Sequence, residues 1–123
     1  MHLRPRRYTS RTTPQQAARR EEWNTYRTDG SWWERRALWL GTAANAQCPG
    51  CGKAVTERDD VHHLHYPEIP GSEADTDLVL LCRPCHDIVH NSIDNSPAWR
   101  KADRRRASWA ILKEIEKMKA CDL

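Results

Sequence analysis

The sequence contains no phenylalanine and only 38% hydrophobic residues, so any core it builds is small. A chain of 123 residues this polar gains from a metal staple. It has no apolar run of about 18 residues, which excludes a transmembrane helix. Its basic start lacks the apolar stretch of a secretory signal, so no such signal is expected. These absences favour one domain in the reducing cytoplasm, where paired cysteines bind zinc more often than they form disulfides.

What charge there is falls unevenly around a net of +3. Residues 1–36 carry nine arginines against four acids, residues 37–96 three bases against nine acids, and residues 97–123 eight bases against four acids. Basic ends therefore flank an acidic middle. Such ends suit a phosphate backbone, although solvated Arg-rich helices produce the same pattern.

Residues 1–13 are Arg-rich without apolar periodicity and read as a flexible basic arm. Thr13-Pro14 predicts a helix start, with Thr13 as N-cap and the helix running to about Arg27. Asp29-Gly30 breaks it. Ser31-Trp-Trp-Glu34 has the form of a capping box, opening a second helix to about Ala46 that packs Trp32 and Trp39 on the zinc unit. The central module spans 47–92. Within it, Val55 and Val61 around Glu57-Arg-Asp-Asp60 fit a small β-hairpin. Pro67, Pro70 and Gly71 mark a loop, and a helix begins near Arg83. Ser96-Pro97 starts a last helix over 93–123, whose Trp109, Ile111, Leu112, Ile115 and Met118 form a core-facing stripe.

The chemistry is concentrated in the middle. Cys48-Pro-Gly-Cys51 and Cys82-Arg-Pro-Cys85 are two pairs at the bite that suits one tetrahedral zinc. A redox pair or a disulfide competes with this reading, but two matched pairs in one small chain favour zinc. Zinc binding on the order of 10 kcal/mol decides whether such a domain folds. The fifth cysteine, Cys121, reads as an incidental thiol.

Five of the six histidines lie between 62 and 90. His86 and His90 are spaced to share one helix face. His62 and His63 are adjacent on a strand and so point to opposite faces. His65 is a reserve candidate, and Tyr66 reads as a packing or hydrogen-bonding residue. Glu73 and Asp77 are candidate distant partners, with Asp77 better placed to organise the loop before the second cysteine pair. A neutral imidazole near pH 7 can accept a proton from water, and a pair of imidazoles can hold a divalent ion.

The string His62-His63-Leu-His-Tyr66, then Glu73, then Asp77-Leu-Val-Leu-Leu-Cys82-Arg-Pro-Cys85-His86-Asp-Ile-Val-His90 resembles the HNH nuclease family of His-Me finger type. The likeness is to its phage and bacterial branch with two CxxC knuckles, and Tyr26, Ser31, Trp33 and Arg36 extend it to residues 26–92. The resemblance implies an α+β fold: a ββα-metal core with a four-cysteine zinc site, flanked by N- and C-terminal helices. It implies His62 and His90 as ligands of a catalytic divalent ion and His63 as general base. His86 falls at the middle position, often Asn, that supports the hairpin and the base. The family often has Asp where this chain has His62, and imidazoles suit transition metals, so Mn²⁺, Ni²⁺ or Zn²⁺ stand beside Mg²⁺ as candidates. Hydrolysis leaving 5′-phosphate and 3′-hydroxyl ends goes with the resemblance, as does an association with phage packaging machinery.

Three function classes are compatible with these features. The first is a DNA endonuclease, with Arg83 at the helix start and Arg35, Arg36, Arg104 and Arg105 from the basic flanks as candidates for phosphate contact. The second is a non-cleaving zinc-bearing DNA-binding module, which has no need of His63 and His90 together. The third is a protein-docking module built on the six tryptophans, if they are exposed. The histidines favour the nuclease.

Overall fold

Thr13 and Pro14 open the first helix as their chemistry predicts. In the computed structural model, which describes residues 13–122, α1 spans Pro14–Thr28. The Thr13 hydroxyl accepts the Gln16 N–H, and the Gln16 side chain accepts the Thr13 N–H, closing a reciprocal cap. The arm expected over 1–13 lies, apart from Thr13, outside the described residues, and so does the side chain of Cys121.

The second helix, α2, is Ser31–Thr42, and the capping box expected at Ser31 is not formed. Its N-cap is Gly30, at φ 96°. That left-handed turn places Ser31 already inside the helix, where its backbone lacks the extended geometry of a capping residue. The Ser31 N–H is instead bound by the Asp29 carboxylate. The helix ends at Thr42, short of the expected Ala46. Just beyond it, Asn45 donates to the carbonyl of Leu80 and accepts its N–H, completing the open edge of a strand with a side chain.

Cys48 to Lys53 forms a tight knuckle, closed by the Cys48 N–H on the Lys53 carbonyl and by a bridge between Gln47 and Ala54. Gly50 is packed so closely that a Cβ there would meet the Cys85 sulfur at 3.0 Å and Leu112 at 3.1 Å.

Strand β1 is Asp60–His63 and β2 is Leu78–Leu81, paired antiparallel from Asp60↔Leu81 to His63↔Leu78. The hairpin expected within 53–64 is therefore replaced by a longer one. Val55 is in the core and Thr56–Asp59 is a turn that delivers the chain to β1. The competitor that wins is Leu78–Leu81. All four of its residues are buried, and it gains most by pairing where both its faces are covered. Between the strands, residues 64–77 form a loop ending in a single 3-10 turn, Asp75–Asp77.

Helix α3 is Arg83–Asp94, starting as expected. The single last helix is in fact two: α4, Pro97–Lys101, and α5, Arg104–Asp122. The Ser96 hydroxyl caps α4, and Asp103 breaks the run by accepting the N–H groups of Arg105 and Arg106. The stripe expected on α5 holds in part, and Ile115 packs against the core beside its two buried members. Ala107, Ser108, Ile111 and Leu112 are buried, while Trp109 and Met118 are exposed. Two small side chains, Ala107 and Ser108, let α5 approach the centre closely.

The result is a small α+β structure in which α3 packs on β1 and on α5, α1 packs on α2, and Trp39, Leu80, Leu81, Val89 and Leu112 are buried in one core. Among the described residues, no helix is long and apolar enough to cross a membrane.

Candidate metal centre and active site

The knuckle supplies Cys48 and Cys51, while Cys82 and Cys85 sit at the N-cap and first turn of α3. Their four sulfurs lie within 4.8 Å of one another, with Cys51 and Cys82 at 3.5 Å, and none is in a disulfide. Zinc–sulfur bonds of about 2.3 Å in a tetrahedron require sulfurs about 3.8 Å apart, so the donor set fits. Burial raises the Cys48 thiol, but N–H groups of Cys51, Cys82 and Gly50 outweigh it and bring it down to about 7. Cys85 is pushed up by burial and by its neighbouring thiols. A cation held by the four sulfurs would resolve that conflict by favouring all four thiolates together.

The alternation of β1 sends its two histidines to opposite sides. His62 turns inward and is only 1% exposed. Its Nε2 meets the Ser108 hydroxyl at 2.9 Å, and its Nδ1 is buried without a partner. One helical turn apart on α3, His86 and His90 bring their rings to 5.4 and 5.3 Å from that of His62, and ligand atoms of all three lie within 4.8 Å of one another. A buried imidazole with one unpartnered nitrogen, clustered with two more imidazoles, fits a divalent ion.

His86 Nδ1 pairs with Asp60 at 3.0 Å, leaving Nε2 for the cluster. This ties α3 to β1, as the middle position of the resemblance implies, and also groups His86 with the two expected ligands. Burial would raise Asp60, but Arg83 and His86 hold its carboxyl below the usual range. Burial, reinforced by Arg104 and the neighbouring imidazoles, drives His62 down to about 2. Burial, with His86 and Arg104, also lowers His90. Both rings are therefore neutral near pH 7, the form that ligates metal.

His63 faces the other way, into aromatic side chains. It stacks on Tyr66 at 4.7 Å, lies 4.8 Å from Trp32, and meets the edge of Trp23. Its Nε2 is 2.8 Å from the fully buried Glu73 carboxylate, whose two oxygens lie 3.1 and 3.2 Å from the Tyr26 hydroxyl. Burial would raise Glu73, but its bonds to His63, to its own backbone and to Tyr26 prevail and lower it. Burial and the Glu73 charge push Tyr26 up, so Tyr26 stays a donor. In the tautomer that donates Nε2–H to the Glu73 carboxylate, the His63 lone pair is on Nδ1. His63, His86 and His90 line one cavity of about 230 Å³, together with Trp23, Arg27 and Tyr66.

The five arginines expected at nucleic acid are all engaged within the protein. Arg35 donates to the Glu73 carbonyl and pairs with Asp75. Arg104 donates to the His63 carbonyl and covers Tyr66, and Arg105 binds the Thr76 carbonyl and Asp77. These three clamp the site's loop and strand. Arg36 donates to the carbonyls of Glu57 and Asp59, and Arg83 pairs with Asp60 while its side chain stays 72% exposed. His65 is exposed and stands outside both histidine groups. Asp77 organises the loop as expected, accepting the Ala74 N–H.

Two partners escaped the sequence reading. Asp60 had a legible signal, since Asp60 and His62 alternate onto one strand face. Ser108, 46 positions from His62, had none.

No curated protein and no solved structure matches the chain. The family model described as HNH endonuclease matches residues 48–92, which include both cysteine pairs, His63 and the whole three-histidine cluster. Over residues 48–92, less than half of the chain, the protein is thus similar to the HNH endonuclease family.

Proposed function

We propose that this protein is a metal-dependent DNA endonuclease in which His63 is the general base and His62, His86 and His90 hold the divalent ion. The observation that carries the reading is that a histidine backed by a buried carboxylate opens into the same cavity as two of the three clustered imidazoles. Two of the assigned ligands were expected from the resemblance, and His86 joins them on geometry.

When bound, the ion supplies Lewis-acid stabilisation of charge on the scissile phosphate. His63 Nδ1 accepts a proton from the attacking water, and Glu73 stabilises the imidazolium that results. Tyr26 and the Arg35 bond to the Glu73 backbone keep that carboxylate in place. The stacked Tyr66 and tilted Trp32 restrict the base to one orientation. An all-imidazole donor set favours Zn²⁺, Ni²⁺ or Mn²⁺ over Mg²⁺, which prefers oxygen. The four cysteines, as a zinc site, anchor the knuckle to α3. Arg36 and Arg83 are the arginines assigned to DNA, and 5′-phosphate products accord with the resemblance. A cytoplasmic setting accords with thiols kept free for a metal. The link to packaging machinery rests on the resemblance alone.

The test is cleavage of supercoiled, linear and branched DNA across divalent metals by wild type and His63→Ala, with circular dichroism on both. Cutting that His63→Ala abolishes without loss of fold supports the reading. Metal-loaded wild type that cuts none of these DNAs overturns it. Salt-dependent DNA binding unaffected by His63→Ala would then assign the non-cleaving binding module.

A further inference from the structure

The cavity at His63 is one of two that meet at His86. The second, of about 390 Å³, shares Trp32, Val61 and His86 with the first and extends to Trp33, Arg36, Asp87 and Arg83. Ligand pockets span about 300–1,000 Å³, and a single nucleoside belongs at the small end of that range.

The wall of this second cavity is unusual for a polar surface. Trp33 is 60% exposed, although the core takes Trp23 and Trp39. The Arg36 guanidinium lies 5.1 Å from its ring centroid, and that guanidinium is itself fixed by the carbonyls of Glu57 and Asp59 at 2.8 and 3.0 Å. An aromatic side chain held next to a fixed cation is a platform for a π face, and stacking on such platforms tolerates any base. Arg83 stands at the same rim with its side chain largely in solvent, and Asp87 offers an acceptor for a base's amino group.

We propose that this cavity takes one unpaired nucleobase, stacked on Trp33 and flanking the phosphate at the histidine cluster, so that single-stranded or branched DNA is the preferred substrate. A base inside an intact duplex presents only its edges; to lay its face on Trp33 it must leave the stack. The position of the phosphate rests on the nuclease reading, but the stacking site does not.

The experiment measures affinity by fluorescence anisotropy in the full-length, zinc-loaded His63→Ala background, for a labelled strand alone and in full duplex. A 2-aminopurine in the strand reports stacking. The expected result is tighter binding of the single strand, lowered about tenfold by an added Trp33→Ala and largely kept by Trp33→Phe, with duplex affinity little changed. If Trp33→Ala perturbs the fold, Trp33→Leu keeps apolar bulk without the aromatic face and decides the matter. Unchanged single-strand affinity, or equal losses on both DNAs, overturns the proposal. Cleavage by wild type is scored separately. A wild type that cuts while the Trp33 variants bind normally sinks only the base site. A wild type that cuts nothing sinks the nuclease reading and leaves the base site to the binding data.

Discussion

The two clusters of metal-ligating side chains differ in the number of donors and in access. The cysteine cluster has four donors, three of them buried, and Gly50 is packed against one of its sulfurs. The histidine cluster has three, of which His86 and His90 line a cavity. A closed four-donor site serves structure, and a three-donor site with an open side serves chemistry. The same helix, α3, begins with ligands of the first and continues into ligands of the second, so whatever anchors the cysteines also aims His86 and His90.

That contrast is broken most severely by Cys82→Ser or by strong chelation. A structural zinc held by the four cysteines would contribute on the order of 10 kcal/mol, so circular dichroism is expected to show a chain unfolded near neutral pH. Substituting a histidine should behave oppositely. His63→Ala is expected to lower cleavage by roughly 10²–10⁴-fold with an unchanged dichroism spectrum. Collapse of the fold in His63→Ala would erase the distinction between the two regions.

Glu73→Gln is expected to lower cleavage less, by about 10–100-fold, because it disturbs the base without removing it. It also carries a pH signature. The folded-state pKa of Glu73 is depressed, so its contribution to stability is complete above its ordinary value of 4.5 and is lost as the pH falls below that toward the folded value. Melting temperatures of wild type and Glu73→Gln should therefore converge in acid. A constant gap across that range would mean that the charge of Glu73 contributes nothing to stability.

Gly50→Ala sharpens the comparison with a smaller effect. The added methyl meets the Cys85 sulfur and Leu112, and the expected loss is about 1–3 kcal/mol by denaturant melts. The histidine cluster's ability to bind Ni²⁺, read by calorimetry, should survive it.

Elements whose signals lie within a few residues were legible in the chain itself. They include the Thr13–Pro14 helix start, the two cysteine pairs and the shared face of His86 and His90. Each depends on local geometry: a cap, a chelate bite or a helical turn. The sequence alone thus determined which metal-ligating residue types the chain carries and that its core would be small. It did not determine the strand that pairs with β1, the exposure of Trp109 and Met118 on α5, the break at Asp103, or the pairing of His63 with Glu73 and of His62 with Ser108. Those depend on competition between distant segments for burial. Leu78–Leu81 captured β1 because both its faces could be covered, and Ala107 and Ser108 brought α5 in because small side chains permit close approach. Only once that packing is set do neighbouring histidines on one strand acquire different environments, one buried in the three-histidine cluster and the other aimed at a cavity with a carboxylate behind it.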